Sequence, residues 1–140
     1  RYNWPVAQAL SVVGDQWTIL LIRDVMSGPQ RFDELQSNLG ISRNLLTQRL
    51  KQMVKAGLLA KRPIPNSRRY AYCLTPKALE LRPAILALAE WGQKWRDEPD
   101  GTRVEITEKA TGKSVGLRYC RLEDGRELKS NEITVERIPG

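Results

Sequence analysis

From Ser42 to Gly57 the apolar residues recur at helical spacing, and from Leu58 onward the chain switches to strand-like runs broken by Pro65, Asn66 and Ser67. A helix that stops at glycine and passes at once into a hairpin must fold the hairpin back, because neither element can bury its apolar face alone. Just upstream, Arg31 to Leu39 places Phe32, Leu35 and Leu39 on one helical face and closes at Gly40. Ser42 then suits the N-cap of the next helix, its hydroxyl accepting from one of the first free N–H groups. The order is helix, tight turn, helix, hairpin.

The flanks are mostly helical. Pro5 opens a short amphipathic helix carrying Val6, Ala9, Leu10 and Val13 and ending at Gly14. Asp15 can cap a second helix whose Trp17, Ile19, Leu20, Leu21, Ile22 and Val25 predict a central buried element stopped by Gly28 and Pro29. Strands are expected over 58–64 and 70–74, and Thr75 with Pro76 starts a further helix. Pro83 predicts a kink or break before a last helix bearing Ile85, Leu86, Leu88, Ala89, Trp91 and Trp95. Beyond Pro99 the apolar residues alternate at Val104 and Ile106, at Val115, Leu117 and Tyr119, and at Ile133 and Val135. The turn signals Thr111-Gly112-Lys113 and Asp124-Gly125-Arg126 predict two hairpins in a small meander. The expected fold is mainly α with small β: residues 1–99 forming a winged helix-turn-helix domain, and residues 100–140 a β-rich C-terminal extension.

Charge sharpens this reading. No Asp or Glu occurs between Glu34 and Glu80, while Arg43, Arg49, Lys51, Lys55, Lys61, Arg62, Arg68, Arg69 and Lys77 all fall there. Residues 1–99 hold 15 Lys and Arg against 8 Asp and Glu, and residues 100–140 hold 8 against 8, so the whole excess of +7 belongs to the first part. A one-signed stretch on an ordered helix and hairpin points to a polyanion. The 2 cysteines, Cys73 and Cys120, and the absence of histidine offer neither a disulfide framework nor zinc-ligand spacing, and no apolar run could span a bilayer. A cytoplasmic protein without metal or other cofactor is expected. With no histidine, obvious carboxylate pair, nucleophile elbow or phosphate-cradling glycine loop, an enzyme is not.

Stepping 100° per residue from Ser42 puts Leu46, Leu50, Met53 and Val54 on one side of the helix, with Asn44, Gln48 and Lys51 nearly opposite and Arg43 and Thr47 on a flank. Arg43 suits guanine, Asn44 and Gln48 suit adenine, and Ser42, Thr47 and Lys51 suit phosphates. At the hairpin tip, Asn66, Ser67, Arg68 and Arg69 would reach an adjacent groove or the backbone. Gln30 and Arg31 are candidate phosphate anchors, Arg31 fitting a structural role equally. Any one of these residues also suits plain solvation, and the collective pattern favours recognition.

Residues 5 to 96 resemble the HxlR family of winged-helix regulators, relatives of the MarR group. The likeness rests on Pro5-Val6-Ala7 with Ala9-Leu10, Trp17-Thr18 with Arg23-Asp24, Gly28-Pro29 with Arg31-Phe32 and Glu34-Leu35, and Ile41-Ser42. It continues in Leu46-Thr47-Gln48-Arg49-Leu50, Gly57-Leu58, Tyr72 with Leu74-Thr75, Leu81-Arg82-Pro83 and Leu88-Ala89 with Trp91-Gly92. The resemblance implies a homodimeric transcription factor reading a pseudo-palindromic duplex operator, more a repressor than an activator, with a recognition helix from Ser42 and a wing around Ser67. It also implies a dimer built by the first and last helices, here carrying Trp4, Leu10, Val13, Leu86, Trp91 and Trp95. Some members sense electrophiles or oxidants through a cysteine before the first helix's proline; this chain has Trp4 there. Cys73 reads as a small packed side chain on its strand.

The tail resembles short extensions of some members through Thr111-Gly112 and Ile138-Pro139-Gly140. A small-molecule effector between Trp17 and the last helix is conceivable, though a filled core explains those residues more economically. The competing class is a winged-helix module binding RNA or an acidic protein through the same basic face.

Overall fold

The computed structural model describes residues 4–96 and 103–138. The expected domain boundary near Pro99 and the closing Pro139 and Gly140 lie outside the described residues. The chain divides into two compact units, Arg1–Leu86 and Ala87–Gly140.

In the first unit, helix α1 (Pro5–Val13) leads into α2 (Gln16–Val25). Two residues, Gln30–Arg31, form strand β1 before α3 (Phe32–Leu39) and α4 (Arg43–Lys55). Strands β2 (Leu59–Pro63) and β3 (Tyr70–Leu74) make the hairpin, and α5 (Pro76–Leu79) follows. Helix α6 (Arg82–Trp95) begins in this unit and continues into the second. The antiparallel sheet has the order β1-β3-β2, with Gln30 opposite Tyr72 and Leu59 opposite Leu74. This is a winged helix-turn-helix, as the sequence led one to expect.

Most of the boundaries follow from local chemistry. The Asp15 carboxylate accepts from the Trp17 and Thr18 N–H groups at 2.8 and 3.3 Å, capping α2. Gly40 ends α3 at φ 65°, a left-handed turn that glycine adopts without cost, so the chain can reverse into Ile41 and Ser42. The predicted break falls at Glu80 and Leu81, and Pro83 sits inside the first turn of α6, where its missing N–H costs no helical bond. Arg31, expected to open α3, lies one residue earlier in β1: pairing with Ala71 on β3 holds it extended.

The core draws Leu21, Ile22 and Val25 from α2, Leu35 from α3, Leu46, Leu50 and Met53 from α4, and Leu58 and Leu59 from the hairpin's root. Each fully buried leucine contributes about 2 kcal/mol of apolar transfer. Val54, expected on the buried side of α4, is 37% exposed, at the edge of the apolar arc. Trp17 packs against the core. One polar tie crosses it at the surface: Arg49 on α4 donates from Nε and Nη2 to the two oxygens of Asp15, each at 3.1 Å. The α2 cap is therefore also an α4 anchor.

In the second unit, Gln93 clasps the backbone of Val104, its amide nitrogen donating to the carbonyl and its oxygen accepting from the N–H. A bridge between Thr107 and Ser114 spans the turn at Gly112, and β4 (Tyr119–Cys120) pairs with β5 (Glu127–Leu128) across the turn at Gly125. Both hairpins are present, but shorter than the alternation suggested. Ile133 and Val135 form no strand: Ser130–Glu132 is a 3-10 turn, and Ile133 donates back to Ser130 instead of pairing sideways. Among the described residues no single helix is long and apolar enough to cross a membrane.

The hydrogen bonds from Arg49, and after them those from the Thr18 and Trp17 N–H groups, hold the Asp15 carboxyl below its ordinary range. A depressed folded-state value stabilises the protein above the unfolded value, near 3.9, and this contribution disappears as pH falls through the folded value. Asp15→Asn should therefore be less stable than the native chain at neutral pH, by roughly 1 kcal/mol or less for so exposed a pair. The gap should close under acid conditions. Urea midpoints measured across a pH series test this, and a gap constant into strong acid would contradict it.

Candidate nucleic-acid interface

Helix α4 is two-faced. Leu46, Leu50 and Met53 are at most 2% exposed, whereas Asn44, Gln48 and Lys51 stand in solvent. The side chains of these three polar residues make no intramolecular hydrogen bond or ion pair among the described residues. They are donors and acceptors without internal employment.

The other expected contacts on this helix are partly committed. The Ser42 hydroxyl accepts from the Leu45 N–H at 3.2 Å as the N-cap, which leaves its own hydrogen free to donate. Thr47 donates its hydroxyl hydrogen to the Arg43 carbonyl at 2.8 Å, so a phosphate would have to displace that bond. Arg43 is exposed, and its guanidinium lies over the Phe32 ring at 4.9 Å, which limits its swing.

The wing tip is fixed by its backbone. The Ser67 N–H donates to the Ile64 carbonyl at 3.2 Å, with Pro65 and Asn66 between them. Asn66 takes φ 59°, the left-handed value required at the third position of a type II turn and tolerated by asparagine better than by other side chains except glycine. The Arg69 N–H donates to the Ser67 hydroxyl at 3.0 Å. These bonds leave the side chains of Asn66, Arg68 and Arg69 in solvent without internal partners.

Gln30 and Arg31 lie alongside the wing, paired with Tyr72 and Ala71 of β3, and are half-buried. Glu34 accepts from the Arg31 N–H at 2.9 Å and from its Nε at 3.2 Å, and these bonds hold the Glu34 carboxyl below its usual range. Arg31 is thus both a helix-capping residue and a surface cation.

Two charges of the acid-free stretch are not available to a polyanion in the same way. Arg49 is paired with Asp15, and Lys77 donates to the Ala56 carbonyl at 2.9 Å, closing the C-terminal end of α4. Conversely, the sequence counted Lys61 among the cations but gave it no contact of its own, and its ammonium lies 5.1 Å from the Tyr70 ring and 6.0 Å from that of Tyr72. The signal was the hairpin register: once Pro63 opposes Tyr70, Lys61 must oppose Tyr72.

The residues assigned to a dimer contact divide. Trp4, Leu10, Trp91 and Trp95 are more than half exposed and Leu86 is half-buried. Val13 is 8% exposed and belongs to the chain's own core, because α1 turns that side chain toward α2. It offers little surface to a partner.

A recognition-type helix with an idle polar face, preceded by a tight turn and flanked by a basic hairpin, defines a helix-turn-helix regulator of transcription, a class that binds DNA and is not enzymatic. Residues 12–100 match the HxlR-like helix-turn-helix family, and the chain belongs to that family. An HTH-type transcriptional regulator of Mycobacterium tuberculosis is 33% identical over 136 residues, covering 96% of this chain and 86% of its own length. The crystal structure of PA1607, a putative transcription factor, superposes with a TM-score of 0.83 at 33% identity, covering 99% of this chain and 97% of that one. A second, PA1374 from Pseudomonas aeruginosa, gives 0.64 at 35% identity, covering 97% and 93%.

Because Ser42 caps α4 through a single side-chain oxygen, Ser42→Ala should cost about 1 kcal/mol of stability and Ser42→Asp should retain most of it. Chemical denaturation distinguishes the two. Equal stability of the alanine variant and the native chain would show the cap to be idle.

Proposed function

We infer that the protein acts as a homodimeric, sequence-specific regulator, a repressor that occludes its target site, with α4 entering the major groove and the wing lying on the adjacent groove or backbone. The observation that carries this reading is the outward face of α4: Asn44, Gln48 and Lys51 are exposed and uncommitted on a helix locked by Leu46, Leu50 and Met53 beneath. Amide side chains placed this way match adenine edges, and the exposed Arg43 has the fork for guanine. Ser42, Lys51, Arg68 and Arg69 supply donors for phosphate, with Asn66, Ser67, Gln30 and Arg31 beside them. Thr47 is the weakest member, since its hydroxyl is already spent.

Two copies related by a twofold axis would set their α4 helices one helical turn apart on a pseudo-palindromic operator. The exposed Trp4, Leu10, Trp91 and Trp95 supply apolar surface for pairing through α1 and α6. In this reading residues 1–99 carry both DNA binding and dimerisation, residues 100–140 are an appendage, the setting is the cytoplasm, and no cofactor takes part.

Duplex fragments selected from genomic DNA would yield the operator. On it, Gln48→Ala should cost about 1–3 kcal/mol while leaving binding to random duplex nearly unchanged. Replacing Arg68 and Arg69 together by alanine should weaken binding to every duplex and flatten the log–log salt dependence by about 2. Equal losses for Gln48→Ala on operator and random DNA would contradict base reading by α4.

Light scattering at micromolar concentration should return twice the chain mass, and Leu10→Glu should shift it toward the monomer. A monomer for the native chain would remove the paired-helix geometry.

A further inference from the structure

Between the start of α3 and the strands of the wing lies an open depression of about 290 Å³. Its lining includes three cations, Arg31, Lys61 and Arg69, against one carboxylate, Asp33. Asp33 stands in the first turn of α3, where the helix dipole accounts for an acidic side chain. Neither Lys61 nor Arg69 has a hydrogen-bonded or ion-paired side-chain partner among the described residues. Of the Arg31 guanidinium only Nε is committed, to Glu34.

The aromatic residues of the lining order this charge. The rings of Tyr70 and Tyr72 flank the Lys61 ammonium, and burial pushes the Tyr72 phenol above its ordinary range. Phe32, on the opposite wall, carries the Arg43 guanidinium on its face. The depression therefore adjoins the first residue of α4 on one side and the wing on the other. Its mouth is open and its walls are charged, unlike the enclosed, mainly apolar cavities that hold small molecules. The occupant it suits is one anionic group of a larger body.

We propose that this depression seats a single backbone phosphate of the bound duplex, with Lys61 and Arg69 donating to its oxygens and the two tyrosines holding the Lys61 ammonium over the seat. The seat rests on the DNA-binding reading above and adds Lys61, Tyr70 and Tyr72 to it. Arg69 supplies a fork of donors and Lys61 a compact charge, the two complementary ways of holding a phosphate. The contact is blind to sequence and fixes how α4 and the wing are set along the strand.

The test uses the whole chain and a mixed-sequence duplex, with affinity followed against salt. Lys61→Gln should flatten the log–log slope by about 1, and Lys61→Arg should restore it. Unchanged thermal unfolding of the glutamine variant marks the loss as one of contact and not of folding. If the native chain binds duplex and Lys61→Gln retains the full slope, the phosphate seat is wrong while the DNA-binding reading survives. Failure of the native chain to bind any duplex would sink both. Inorganic phosphate that binds the native chain but not Lys61→Gln, while leaving duplex affinity no lower than chloride does at equal ionic strength, would assign the seat to a free anion and overturn the proposal.

Discussion

Everything in the first unit depends on one helix being claimed from beneath. Leu46, Leu50 and Met53 are sealed against α2, α3 and the root of the hairpin, and this burial fixes the rotation of α4 about its own axis. Rotation is the variable that matters for a helix that must present chosen side chains, since a turn of 100° would replace Gln48 by a neighbour. The Asp15–Arg49 pair adds a directional constraint that apolar packing lacks, because a bidentate carboxylate fork tolerates little sliding. At the other end, Lys77 and the Thr75 hydroxyl hold the Ala56 and Gly57 carbonyls and tie the exit of α4 to the segment after the wing.

What could be read from the sequence was whatever short-range chemistry decides. Asp15, Ser42 and Thr75 announce helix starts because capping is a matter of three or four residues, and Gly40 and Gly57 announce ends for the same reason. Tyr70–Leu74 emerged with its bounds intact, because its apolar run is framed by the turn and by Thr75. Strand β1 was invisible: two residues carry no period, and what makes them a strand is β3, some forty positions away. Ile133 and Val135 illustrate the reverse error, where alternation persists but nothing pairs with it.

The candidate site followed the same division. The wheel that separated Asn44, Gln48 and Lys51 from Leu46 and Leu50 held because the helix is regular. The count of positive charges did less well. It treated Arg49 and Lys77 as equals of Arg68, though the first is spent on Asp15 and the second on a carbonyl, and only folding reveals which cations already have an occupation. Val13 shows a related limit: the resemblance assigns its helix to a dimer, and whether one side chain of that helix meets its own chain or another is a tertiary fact.

The sheet order β1-β3-β2 leaves β2 as an outer strand, with backbone groups on its far side open to any strand that drifts alongside. Lys61, Arg62 and Pro63 occupy that strand, two like charges followed by a residue with no hydrogen to offer. A second molecule approaching edge to edge would bring cation against cation and meet a gap in the ladder. The residues that make the hairpin attractive to a polyanion thus also keep it from polymerising with its own kind, a safeguard against aggregation.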